Sequence, residues 1–148
     1  MAQAASTIIM RGPIRIDFLV TADDSDGSVT VFECLIPAAS RVPVPHSHDG
    51  FEETNIVLEG TCTWTIDGQQ RELGPGGSVC IRRGQVHGFA NHTDEDVRFL
   101  AIITPGVLGP EYFQDLAEVL AAGGPPDPAT IAQVMRRHGL TPAPPTPA

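Results

Sequence analysis

The chain has 148 residues, 41% of them hydrophobic, and its nine Arg and no Lys against eighteen acidic residues leave a formal charge of −9. That length suits one domain, burying about two-thirds of its unfolded surface. The charge argues against nucleic acid or an anionic membrane as a partner, and the absence of lysine excludes Schiff-base chemistry on the protein.

Along the chain, the first dozen residues carry little pattern and are expected to be mobile or to extend a sheet edge. The Met1 to Met10 stretch lacks the basic-then-apolar order of a secretory leader, and no apolar run reaches a membrane span, so a cytoplasmic protein is expected. Ile14 to Thr21 alternates weakly, Asp23 to Gly27 is a turn-rich acidic loop, and Ser28 to Ile36 reads as a strand. Pro37, Pro43 and Pro45 punctuate the approach to His46, which suits a barrel rim better than a central strand. Strands follow at Glu53 to Leu58 and Thr61 to Ile66. Asp67-Gly68 is a hairpin signal that returns Gln69 to Leu73 against the preceding strand. Ser78 to Ile81, Val86 to Ala90 and Val97 to Thr104 complete a set of short, regularly spaced strands, the signature of a barrel or sandwich. Cys34, Cys62 and Cys80 lack CxxC spacing and are read as small core thiols.

The period then changes. Tyr112, Phe113, Leu116, Val119 and Leu120 recur at helical spacing within Pro110 to Ala122, with Gly123-Gly124 as a stop. Asp127-Pro128 is an N-cap and first-turn proline, opening a second short helix with Ile131, Val134 and Met135 apolar. This helix ends near His138-Gly139, and Thr141 to Ala148 is a Pro-rich, extended tail. Both helices are expected to pack on the barrel's outside or to close one mouth.

The chemistry concentrates in two segments. His46 and His48 lie one residue apart, so on an extended strand both face the same way, and the carboxylates Glu52 and Glu53 follow within a few residues. About thirty residues later, His87 sits between glycines in a strand context. Three imidazoles and a carboxylate make a donor set for a divalent transition metal. His92 lies five residues beyond His87, so a continuing strand turns it away. His138 at a helix C-terminus is read as structural.

These segments resemble the two signature motifs of the cupin superfamily. The first runs His46-x-His48, four residues, Glu53, six residues, Gly60. The second runs Gly76, five residues, Arg82 where proline is usual, then Gly84, His87 and Asn91. A second departure is Ser40, where the pattern has glycine six residues before the first histidine. An arginine at that turn puts positive charge near the barrel rim. The resemblance covers roughly residues 28 to 104. It implies an all-β, double-stranded β-helix (jelly-roll) barrel with two short C-terminal helices: residues 1–13 as an N-terminal extension, 14–107 as the barrel and 108–148 as helices and tail. No internal repeat is evident, so one barrel is expected. The resemblance further implies metal ligation by His46, His48, Glu53 and His87, with Glu53 also a catalytic base, while Glu52 keeps a lesser claim. The ion would be divalent Fe, Mn, Ni, Cu, Co or Zn. Asn55 and Val57, which share Glu53's face, together with Phe51, Trp64, Phe89 and Ile103, are candidate pocket residues. The overall pattern, tail helices included, is most similar to small bacterial quercetin-dioxygenase-like cupins. It implies a dioxygenase acting on a small oxygen-chelating diketone, flavonol or aromatic-like substrate. A non-redox isomerase, lyase or cyclase and a binding module without turnover are the alternatives. Few acid/base groups lie on the strands, and the one tyrosine, Tyr112, would serve only if its helix reached the barrel mouth. Exposed sheet edges and the habit of single-barrel cupins suggest a homodimer.

Overall fold

In a computed structural model that describes residues 6–40 and 44–144, two antiparallel sheets face each other across a shared core. The larger has six strands in the order β1(Ser6–Met10), β2(Ile14–Val20), β3(Thr30–Ile36), β10(Val97–Thr104), β5(Glu52–Glu59) and β8(Ser78–Ile81). The smaller has five, in the order β11(Leu140–Pro142), β4(His46–His48), β9(His87–Ala90), β6(Cys62–Ile66) and β7(Gln69–Leu73). The sheets do not close into a continuous barrel; the arrangement is a jelly roll, all-β apart from its helices. Each long strand alternates buried and part-exposed residues. Ile14, Ile16 and Phe18 on β2, Phe32, Cys34 and Ile36 on β3, and Phe99, Ala101 and Ile103 on β10 all point into the core. Period two therefore converts directly into one buried face per sheet.

Turn chemistry sets the register. Asp67 and Gly68 both have positive φ, which matches the twist of a two-residue hairpin and pairs Ile66 with Gln69. Gly60 also has positive φ, and a Cβ there would collide with the Asp96 carbonyl, so glycine alone fits between β5 and β6. The acidic loop contains a single four-residue helical turn, α1(Ala22–Ser25), where the sequence suggested only a turn. Thr21 and Asp24 close a reciprocal capping box around it.

The N-terminal segment is part of the sheet. Its β1 pairs with β2 from Ser6↔Phe18 to Met10↔Ile14, and Ile8 and Met10 reach the core. At the other end, α2(Pro110–Ala121) buries Tyr112, Phe113 and Leu116, and α3(Pro128–Arg137) buries Ile131, Val134 and Met135. Asp127 caps α3 by accepting from the Ala129 amide, with Pro128 in the first turn. Phe113 packs on Phe18 and Phe32, placing α2 against the core-facing side of β2 and β3. The tail then returns as β11, which pairs Leu140 with His48 and Pro142 with His46. Pro43 and residues 145–148 of the tail lie outside the described residues. Among the described residues, no helix is long and apolar enough to cross a membrane.

One expectation is corrected here. Cys34 and Cys62 are buried, but Cys80 is exposed, because β8 is an edge strand and Cys80 falls on its outer face.

Candidate metal centre

His46 and His48 project together from β4, and His87 lies directly across from His46 on β9. One nitrogen from each imidazole falls within 4.8 Å of the other two. The ring centroids are 4.5 to 5.2 Å apart. Main-chain carbonyls orient two rings: His46 Nδ1 donates to Val44 at 3.0 Å and His87 Nδ1 to Gln85 at 3.0 Å. Each of these rings thereby keeps its Nε2 lone pair, the arrangement metal-binding histidines use. His48 instead stacks on Phe51 at 4.3 Å, and its Nδ1 is buried with no partner.

Glu53 enters from the opposite sheet, its Oε2 3.9 Å from His87 Nε2, and accepts a 3.2 Å hydrogen bond from Asn55 Nδ2. Glu52 points away. It accepts from Arg83 Nε at 2.8 Å on the rim, so the two carboxylates divide between site and surface as strand alternation requires. Arg82 is exposed beside it. His92 is exposed as expected. His138 Nε2 contacts Asp115 at 2.8 Å, beside the Tyr112 ring.

Burial governs the electrostatics. It pushes His48 down to about 2, helped by His87 and His46. Burial likewise lowers His46 and His87 below the ordinary imidazole value. Three neutral imidazoles are ready to donate lone pairs. Burial raises Glu53, against the Asn55 hydrogen bond and the proximity of His46.

The site opens into a cavity of about 70 Å³ whose walls come from both sheets and from α2. Of the six residues proposed from sequence as pocket residues, Phe89 alone lines it. Asn55, Val57, Trp64, Phe51 and Ile103 point inward but pack behind the site, at most 1% exposed. Trp64, for instance, packs at a tilt against Phe89 and edge-to-face against Phe99. Their place is taken by β1–β2 side chains such as Met10 and Ile16, by Leu140 of β11, and by Tyr112, Phe113 and Leu116 of α2. Strand alternation announced which residues face inward. Which end of the interior stays open depends on where the tail docks.

A family model described as cupin domain matches residues 31–103. The chain carries a cupin domain. Quercetin 2,3-dioxygenase of Bacillus subtilis is 28% identical over 95 residues, 64% of this chain. Those residues span only 27% of that relative's length. KdgF from Halomonas sp. superposes with a TM-score of 0.61 at 14% identity, covering 71% of this chain and 94% of its own. The polyketide cyclase RemF from Streptomyces resistomycificus superposes with a TM-score of 0.57 at 25% identity, covering 74% and 85%. The donors fit a divalent transition ion: three neutral imidazoles that each bring one nitrogen within 4.8 Å of the others, with a carboxylate within reach.

Proposed function

We propose that this cupin is a metal-dependent enzyme of the dioxygenase type, acting on a small molecule that chelates the ion through oxygen. The convergence of His46, His48 and His87 within 4.8 Å, with Glu53 opposite, carries the reading. The distant likeness to quercetin 2,3-dioxygenase supports it. In this reading the three imidazoles and Glu53 hold the ion. When bound, a redox-active divalent ion supplies Lewis acidity and electrons for dioxygen chemistry. Glu53 also serves as base, holding a substrate proton while Asn55 keeps its carboxylate oriented. The apolar walls exclude water, which strengthens each electrostatic contact at the ion.

A panel of diketones and flavonols offered to iron-, manganese-, nickel- or copper-loaded protein should consume oxygen, and the reaction should stop under nitrogen. Product formed without oxygen sinks the reading. It would favour a second, non-redox isomerase, lyase or cyclase, which the likeness to a polyketide cyclase and the presence of Tyr112 on the cavity wall support. Activity retained with zinc separates the two. We further propose a cytoplasmic homodimer, since among the described residues β1 and β8 form the two edges of the larger sheet, each paired on one side. Sedimentation at the 15.7 kDa protomer mass would refute the dimer.

A further inference from the structure

The cavity has a one-sided chemistry. Apart from its donors the wall is mostly hydrocarbon: Ile16, Phe32, Phe99, Phe113, Leu116 and Leu140 are each at most 9% exposed. The chain has no lysine, and no arginine lines the cavity among the described residues. The described arginines in ion pairs, Arg15, Arg83, Arg98 and Arg137, hold their carboxylates at the surface. Apart from the four proposed donors, Tyr112 and Cys34 bring the polar side-chain groups. Tyr112 comes from α2, outside the strands, and is 4% exposed. Its phenol is protonated at neutral pH and is therefore a hydrogen-bond donor.

Charge counting then limits what the cavity accepts. A divalent ion with one carboxylate ligand leaves one positive charge at the site. A substrate that loses one proton on chelation neutralises it. A dianion leaves a net negative charge inside an apolar cavity that offers no cation, a costly arrangement.

We infer that the cavity selects an apolar-bodied chelator carrying a single negative charge when bound, such as an enolisable dicarbonyl, and that Tyr112 donates a hydrogen bond to it. Dianionic chelators and phosphorylated sugars are rejected. The inference rests on the metal-centre reading and adds to it the substrate class and a binding residue supplied by the tail.

The test uses full-length protein loaded with cobalt(II), whose visible absorption reports ligand exchange. The probes are 2,4-pentanedione and oxalate, two small oxygen chelators that bind with one and two negative charges. Cobalt content is measured before and after each titration. Pentanedione should bind at least about tenfold more tightly than oxalate. Tyr112→Phe keeps the wall and removes the donor, so it should hold cobalt normally while weakening pentanedione about five- to tenfold, the effect of one hydrogen bond. Oxalate binding as tightly as pentanedione to cobalt-replete wild-type protein overturns the charge rule and leaves the metal centre standing. Unchanged pentanedione affinity in cobalt-replete Tyr112→Phe overturns the role of Tyr112. Protein that takes up no cobalt overturns the metal centre, and the inference with it.

Discussion

The two ends of the cavity are built by different means. The donor end is assembled from β4, β5 and β9, where two of the histidines are one residue apart in sequence and the third faces them across a strand pair. The wall end is assembled from β1, β2, β3, β10, α2 and β11, so elements from both ends of the described chain meet there. The donor end is polar and hydrogen-bonded to main-chain carbonyls, so its geometry follows from strand register. The wall end is apolar and held by packing, so its shape follows from side-chain volume. One piece joins the two. The β11 strand pairs with the histidine strand, Thr141 Oγ1 donates to Asp49 Oδ1 at 2.7 Å, and the Asp49 amide donates to the Gly139 carbonyl at 2.9 Å. The tail thus anchors β4 as well as lining the cavity.

If the ends are separable in function, single changes should hit one and spare the other. His48→Ala should produce the largest loss, lowering metal affinity by more than about a hundredfold, since outer partners alone are worth ten- to hundredfold. Elemental analysis of purified protein measures this, and near-normal metal content would break the assignment of the donor end. Leu116→Ala, by contrast, removes a side chain 1% exposed on the wall. It should lower unfolding free energy by about 2–5 kcal/mol with metal stoichiometry unchanged, as seen by denaturant melts beside metal analysis. Loss of metal in that variant would show that the wall positions the donors.

Acid should act on the donor end. The three imidazoles have folded values below their unfolded ones, so the unfolded chain binds more protons as pH falls. Their stabilising contribution is complete above the ordinary value of 6.5 and is lost progressively as pH drops toward the folded values. Glu53 works in the opposite sense, because its raised value favours the protonated folded form, and it offsets part of the loss. The metal-free protein should therefore lose roughly 1.4 kcal/mol per pH unit for each uncompensated histidine below that point. Thermal melts between neutral pH and pH 5 would expose a flat profile if the imidazoles were already charged. The smallest effect belongs to the rim. Glu52→Gln breaks an exposed pair with Arg83 and should cost under about 1 kcal/mol with no loss of metal. Metal loss there, and not in Glu53→Gln, would exchange the two carboxylates.

Much of this was legible in the residues. Alternation located the strands and Asp67-Gly68 located a hairpin, because these features depend on neighbours a few positions away, while the resemblance to the cupin motifs pointed to the long-range set from which the fold brings His46, His48 and His87 together. The cavity wall was not legible. Phe51, Val57, Trp64 and Ile103 satisfy the same alternation as the residues that line the cavity, yet they pack behind it. Tyr112 shows the same limit, since its helical spacing marked a buried face without saying what that face would cover.

The sequence by itself determined the strand pattern and the turns, for which backbone geometry and local spacing suffice, and its resemblance to the cupin motifs supplied the candidate metal-binding side chains. Only the tertiary structure decided that β1 joins the larger sheet, that β11 pairs with the histidine strand, and that Tyr112, Phe113 and Leu116 line the cavity. Hydrophobic burial is non-directional, so an apolar stripe specifies that it must be covered and leaves the covering surface to the packing of the whole chain.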